Sequence, residues 1–278
     1  MGAMTAANTW LITGASSGLG LSLTRRVLAA GHRVVATSRG GTVPVEHPSL
    51  TVVRLDPAGR DECRRAVEEA HAVSGRLDVL VNNAGYGLVG ATEEVSEEQA
   101  RGILDVDLLG PLWLTQAALP LMRAQGSGHF VQISSTGGVG AMPMLGLYNA
   151  AKWGLEGLSE ALAGEVGSLG VRVTLVEVAA MDTRWATSGM QFAAPDPAYD
   201  ELRGRLFGTP VVLWPTAPGA TGGGTSPEEI ADGILAHVTA KEGPLRLVLG
   251  EGAADQIRAV LDQRQQDYGR QPGFRGED

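Results

Sequence analysis

The sequence predicts an α/β fold built on one doubly wound parallel sheet, and three observations carry that expectation. Short apolar, β-branched runs alternate with helical periodicities along nearly the whole chain. The first run stops at a glycine-rich turn that opens directly into a helix. The 278 residues, 44% of them hydrophobic, are enough to bury one large core. Right-handed crossovers between parallel strands then put helices on both faces.

Residues 9–13 (TWLIT) form the opening strand, and residues 18–30 carry helical spacing through Leu19, Leu23, Val27 and Leu28 before Gly31 ends the helix. Residues 33–37 (RVVAT) and 51–55 (TVVRL) are the next strands, of the continuously apolar kind that a sheet covered on both faces requires. A charged amphipathic helix follows over 60–73, then a strand over 77–81. Residues 96–122 read as one long helical region, opened by a capping box of Ser96 and Gln99. Strand 130–134, helix 148–166 and strand 171–176 continue the alternation. The rhythm then breaks. Residues 182–226 mix Trp185, Met190, Phe192, Phe207 and Trp214 with prolines and a GATGGGT segment, too long for an ordinary connection and typical of a substrate lid. Helix 227–239, strand 245–249 and helix 253–266 complete the pattern. With no internal repeat and no second core, residues 9–268 are expected to form a single domain that includes the lid, with 269–278 a mobile tail.

Composition narrows the function. A net charge of -9 with no basic stripe argues against a nucleic-acid partner, because phosphate backbones would be repelled. No run approaches the roughly 20 apolar residues of a membrane span. Cys63 is the only cysteine, so neither an internal disulfide nor a thiolate metal cluster is expected, and the five scattered histidines do not suggest a metal site. His129 is expected to be structural. A reducing, cytoplasmic setting follows as an expectation.

Three constellations carry chemistry. Gly14, Gly18 and Gly20 in TGASSGLG let the backbone turn tightly and approach a pyrophosphate, whose charge the following helix N-terminus meets. The second strand ends in Thr37, Ser38 and Arg39 instead of the acid that would accept the ribose hydroxyls of NAD, and the planar cation of Arg39 suits the 2′-phosphate of NADP. Tyr148 and Lys152 stand four apart on one helix face, and only one other lysine, Lys241, exists in the chain. An ammonium there would draw the tyrosine down from its usual range of about 10 and make it a proton donor or acceptor, chemistry that suits carbonyl reduction.

TGASSGLG, NNAG at 82–85, the Ser134–Ser135 pair and YNAAK at 148–152 stand in the order and spacing of the short-chain dehydrogenase/reductase family, which the chain resembles over about residues 9–249. The resemblance implies a Rossmann-type domain with a seven-stranded parallel sheet, usually assembled as a homodimer or homotetramer. It implies that Tyr148 is the acid/base, that Lys152 binds the nicotinamide ribose and lowers the Tyr148 pKa, and that Ser135 holds the substrate oxygen. It further places Gly14, Ser16, Ser17, Gly18, Leu19, Gly20, Ser38, Arg39, Asp56, Asn83, Ala84, Gly85 and Thr183 around NADP(H), with Asp56 beside the adenine and Thr183 on the carboxamide. The overall pattern is similar to the hydroxysteroid- and retinol-dehydrogenase-like branch. Met142, Met144, Trp185 and Met190 are expected to line the substrate pocket.

Two departures stand out. Asp107, in VDLLG, replaces the family's asparagine, so a carboxylate is expected near Lys152, with an altered proton path. After the sixth main strand Ala179 and Ala180 replace Pro-Gly, leaving a turn expected to be less constrained. The sequence therefore points to an NADP(H)-dependent oxidoreductase that interconverts a carbonyl and a secondary alcohol on a bulky, largely apolar small molecule. A nonredox protein on the same scaffold, such as a dehydratase, epimerase, cyclase or NADP-sensing regulator, is the alternative.

Overall fold

The computed structural model describes residues 7–187, 189–210, 221, 223–240 and 242–274. Its main sheet has seven strands, all parallel: β1 (Thr9–Ile12), β2 (Arg33–Ser38), β3 (Leu50–Arg54), β4 (Val79–Asn82), β6 (Gly128–Ile133), β7 (Val171–Val178) and β9 (Arg246–Leu249). They lie in the order β3-β2-β1-β4-β6-β7-β9. Registers such as Leu11↔Val35 and Leu11↔Leu80 bring the strand ends level where the sequence places its glycine turn and its NNAG segment.

Alternation along β1 shows why these runs are apolar throughout. Trp10 and Ile12 face a core formed with α1 (Gly18–Ala29) and α7 (Pro227–Thr239), whereas Leu11 faces the core shared with α2 (Arg60–Ala72), α4 (Gly110–Gln125) and α5 (Gly146–Val166). All three are fully buried, and each large side chain removed from water contributes about 1.5–3 kcal/mol. The strand order and the two-sided core are those of a doubly wound, Rossmann-type sheet, as expected. No helix among the described residues is long and apolar enough to cross a membrane.

Most predicted elements begin and end within two residues of the observed ones. The region read as one helix over 96–122 is a correction. It divides into α3 (Glu97–Leu104), a π-helical turn over Asp105–Leu109, and α4, which runs on to Gln125. Pro111 has no N–H to offer the carbonyl four residues back, at position 107, so the ladder loosens there and Gly110 N–H closes on the carbonyl of Asp105. The capping box of Ser96 and Gln99 forms as predicted.

The described residues of the 182–226 segment pack on the body. β8 (Met190–Phe192) pairs in parallel with β5 (Gly87–Val89), and α6 (Asp200–Phe207) follows. Arg203 of α6 is 1% exposed and bonds Glu94 (2.5 Å), Asp200 (2.8 Å) and the carbonyl of Pro210 (2.9 Å), which fastens this segment to the turn after β5. Trp214 and Gly222 lie outside the described residues. At the chain end α8 (Ala253–Tyr268) reaches back over the loop after β6, and Phe274 stacks on Tyr268.

Candidate active site

The glycine turn and the NNAG segment are locked together by one hydroxyl. Thr13 Oγ1 accepts from the N–H groups of Asn83 (2.9 Å) and Ala84 (3.0 Å), while the Asn83 side-chain amide donates to the carbonyls of Thr13 (2.7 Å) and Gly14 (3.3 Å). Gly14 sits at φ +67° and Gly18 at φ +54°. A Cβ at Gly14 would stand 2.9 Å from Ala84 Cα, and one at Gly20 would stand 2.4 Å from the Gly14 carbonyl, so side chains are excluded by geometry at both. Ser17 is the N-cap of α1, yet its side chain makes no capping bond, which leaves the first-turn N–H groups facing the crest of the sheet. Ser16 beside it is exposed, and Leu19 packs into the core so that only its backbone faces the crest. This cradle fits a dinucleotide pyrophosphate.

At the adenine end the residues divide their work. The Ser38 hydroxyl is occupied within its own turn, donating to the Thr42 carbonyl (2.8 Å) and accepting from Thr42 N–H (3.0 Å). Arg39 is exposed, and Arg54 Nε, from the paired strand, donates to its carbonyl (3.2 Å). Asp56 is half-buried, with Oδ1 accepting from Ala58 N–H. Burial pushes the Tyr86 hydroxyl above its usual range, with Asp107 and Asp105 adding to the rise, while the charge of Arg39 opposes them.

The reactive cluster is built where α5 crosses the end of β6. Lys152 Nζ donates to the Ile133 carbonyl (3.2 Å), pairs with Asp107 Oδ2 (3.2 Å) and lies 5.7 Å from the centre of the Tyr148 ring. The π-helical turn aims Asp107 inward, its side chain fully buried, and Oδ1 accepts from Tyr86 N–H (3.1 Å). Gly85 permits this approach, since a Cβ there would lie 2.8 Å from Asp107 Oδ2. Ser135 caps the short turn that follows β6, accepting from Gly137 N–H, and lies beside Tyr148, since a Cβ at Gly137 would stand 3.4 Å from both Ser135 Oγ and Tyr148 Cε1.

The electrostatics depart from the expectation for Tyr148. Burial holds its pKa above the usual tyrosine range, and although Lys152 and Ser135 pull it down, the Asp107 carboxylate pushes it up again. Lys152 does act in the direction expected, but it does not win. Burial presses Lys152 toward its neutral form, but Asp107, Tyr148 and Glu156 outweigh that and hold the ammonium charged. The expected pairing of Asp107 with Lys152 is present.

Thr183 lies across from the glycine turn, 6% exposed, with its methyl about 3.5 Å from where a Gly18 Cβ would stand. The turn from Ala179 to Thr183 is not loose. Thr225 N–H donates to the Ala180 carbonyl (3.1 Å), Asp182 N–H donates to the Thr225 carbonyl (2.9 Å), and Gly224, at φ +102°, has no room for a Cβ against the Ala180 carbonyl. Backbone pairing supplies the constraint that proline would have given. Trp185 packs on Tyr148 with the rings tilted by 55° and their centres 5.3 Å apart. Met144 is buried at φ +69° and packs with Val89, Met190 and Phe192, whereas Met142 is 45% exposed and stands outside that cluster. An open groove lined by Tyr86, Gln99, Gln191 and Phe192 runs alongside.

A family profile described as short chain dehydrogenase matches residues 8–192. The chain belongs to the short-chain dehydrogenase family. An oxidoreductase of Schizosaccharomyces pombe with no assigned activity is 36% identical over 255 residues, covering 90% of this chain and 85% of its own. Human 17-beta-hydroxysteroid dehydrogenase type 1 is 31% identical over 267 residues, covering 91% of this chain and 80% of its own. A solved short-chain dehydrogenase from Streptomyces avermitilis superposes with a TM-score of 0.85 at 34% identity, covering 99% of this chain and all of its own.

This short-chain dehydrogenase also holds residues that the sequence reading passed over. Tyr86 and the Arg203–Glu94 pair had no motif to mark them. Glu156 had one, because it continues the four-residue spacing of Tyr148 and Lys152. His129 is structural as expected, with Nε2 2.8 Å from Thr174 Oγ1, and no group of metal-binding residues occurs among the described residues. Burial, with Asp56 and Glu62 nearby, pushes the Cys63 thiol up to about 12, so it is inert.

Proposed function

We propose that the protein is an NADP(H)-dependent oxidoreductase that interconverts a carbonyl and a secondary alcohol on a bulky, largely apolar substrate. The observation that carries this reading is the convergence of the Ser135 hydroxyl, the Tyr148 hydroxyl and the Lys152 ammonium at the crest where the glycine cradle opens. When bound, the cofactor supplies a hydride. Gly14, Ser16, Ser17, Gly18, Leu19, Gly20, Asn83, Ala84, Gly85 and Thr183 would hold its pyrophosphate and nicotinamide ends, with Asp56 beside the adenine. Arg39 would meet a 2′-phosphate, and the absence of an acid at the end of β2 removes the group that selects NAD.

In the reductive direction the Ser135 hydroxyl orients the substrate oxygen and Tyr148 donates its proton to it as the C–H bond forms. In the oxidative direction Tyr148 takes that proton back. Lys152 stabilises the phenolate through its charge, and the positive side of the pair is fixed by Asp107 and the Ile133 carbonyl. Trp185 packs against Tyr148, and Met190, Met144 and Phe192 form an adjoining apolar cluster that shares Leu145 with it, which favours a hydrophobic ketone over a sugar. The 17-beta-hydroxysteroid dehydrogenase relative acts on a molecule of that kind. Assembly as a homo-oligomer in the cytoplasm belongs to the same reading.

A panel of alicyclic and aliphatic ketones, each with NADPH and with NADH, tests this by loss of absorbance at the nicotinamide band. Turnover of apolar ketones with NADPH preferred is expected. Tight NADPH binding without turnover across the panel would favour the nonredox alternative, for which Asp107 is the motivating departure.

A further inference from the structure

The α5 face that presents Tyr148 and Lys152 continues into the protein with Glu156, one turn on and only 7% exposed. β7 directs Glu177, 1% exposed, to the same side of the sheet, because Val171, Val173 and Glu177 alternate toward the α5 core. Arg246, from the edge strand β9, reaches across both. Its Nε lies 3.1 Å from Glu177 Oε1 and 3.4 Å from Glu156 Oε2, and its Nη2 lies 2.9 Å from the solvent-facing Glu160. The buried Ser134 hydroxyl faces Glu156, and the loop after Ser135 packs on both, since a Cβ at Gly138 would stand 2.7 Å from Ser134 Oγ and 3.1 Å from Glu156 Cγ.

Three parts of the site therefore meet at this cluster: the strand end that carries Ser135, the helix turn that carries Lys152, and the end of β7 that leads to Thr183. Two buried carboxylates converge on one guanidinium nitrogen, and a single positive charge cannot offset the desolvation of both. The charged groups facing the pair are Lys152 and Glu160 from α5 and Arg246 from β9, with Ser134 as the neutral polar neighbour.

We propose that Glu156 and Glu177, bridged by Arg246, share one proton and act as positioning residues that join the Ser135 strand end, Lys152 and the Thr183 turn into one titrating unit. The inference rests on the acid/base reading of Tyr148 and Lys152. Burial, and after it the charge of Glu156, push Glu177 up to about 7 against the pull of Arg246, so the shared proton leaves within the working range of an enzyme. Its departure adds negative charge behind Lys152, which holds the ammonium more firmly and opposes phenolate formation at Tyr148.

The test uses the full-length protein with glutamate labelled by ¹³C at the side-chain carboxyl, followed by NMR from pH 4.5 to 9, together with the pH profile of kcat/KM for NADPH-dependent ketone reduction. One carboxyl carbon is expected to titrate near neutrality in the wild type, to vanish in Glu177→Gln and, with aspartate labelled at its side-chain carboxyl as well, to be replaced by a titrating aspartate signal in Glu177→Asp. The corresponding limb of the rate profile should disappear in Glu177→Gln. Arg246→Gln should move the neutral titration alkaline, a response that loss of packing alone would not produce. Wild-type glutamates that all titrate below pH 5.5, or a neutral titration that survives in both Glu177→Gln and Glu156→Gln, would overturn the proposal. The NMR readout needs no turnover, so absent catalysis with an intact neutral titration would count against the redox reading alone.

Discussion

Replacing Asp107 by asparagine isolates the effect of the buried negative charge beside Lys152. The Asp107 carboxylate lies 3.2 Å from Lys152 Nζ, which lies 5.7 Å from the Tyr148 ring centre, so the negative charge is within about 9 Å of the phenol. At an effective dielectric of about 20, a unit charge at that distance acts with roughly 1.8 kcal/mol, or about one pH unit. Asp107 raises the Tyr148 pKa, so removing its charge lowers it. The rising limb of alcohol oxidation, which needs phenolate, and the falling limb of ketone reduction, which needs phenol, should both move about one unit toward acid. Asparagine can still accept from Tyr86 N–H, and thermal melting checks that the buried ammonium left without its partner has not unfolded the protein. The assay is kcat/KM from pH 5.5 to 10 in both directions at fixed ionic strength. An unchanged profile, or one moved toward alkali, would refute the electrostatic argument.

Arg39→Ala should weaken NADPH binding about 10- to 100-fold, the range for losing a charge-assisted contact, and leave NADH nearly unchanged, measured by titration calorimetry at one salt concentration. Equal losses for both cofactors would show that Arg39 supports the loop and not the phosphate. Arg203→Met strands the buried Glu94 carboxylate, so it should cost on the order of 3–5 kcal/mol locally and speed limited proteolysis within 190–210 well before the sheet melts. Cleavage no faster than in the wild type would contradict the anchoring role. Glu177 ionises near 4.5 when unfolded and at about 7 when folded, so the folded state binds the extra proton between those values and stability from this group is present at low pH and lost as pH rises to 7. The wild type should therefore lose on the order of 3 kcal/mol relative to Glu177→Gln between pH 4.5 and 7.5 in urea titrations, and parallel curves would exclude it.

The fold was legible because its signals are local. Unbroken apolar runs mark strands covered on both faces, and two of the three glycines, Gly14 and Gly20, sit where backbone approach leaves no room for a Cβ, while Gly18 takes a positive φ. The pairing of Asp107 with Lys152 could be anticipated from the family resemblance, which puts position 107 near that lysine. Its net effect on Tyr148 could not, because the outcome depends on how far burial outweighs the ammonium, a property of packing. The break between α3 and α4 was marked by Pro111 but hidden within a continuous apolar pattern. Short β5 and β8 carry too few residues to show a period, and their pairing joins segments about a hundred residues apart. Arg203 and Glu94 look like surface charges until α6 is folded against the turn after β5. Glu177 and Arg246 lie on neighbouring strands and meet Glu156 only through tertiary packing, so spacing along the chain carries no trace of that contact. The replacement of Pro-Gly by two alanines suggested a looser turn because its partner, Thr225, is more than forty residues away.

Hydride transfer to a carbonyl with Tyr148 as proton donor is the reaction proposed for this site. Incubating the protein with NADPH deuterated at the transferable C4 position and an apolar bicyclic ketone such as a decalone, followed by mass spectrometry of the product, tests it directly. One deuterium is expected on the carbinol carbon, with the rate falling at least about 100-fold in Tyr148→Phe while NADPH affinity is retained. NADPH bound by both proteins, with no deuterated alcohol from either or with equal rates from both, would contradict it.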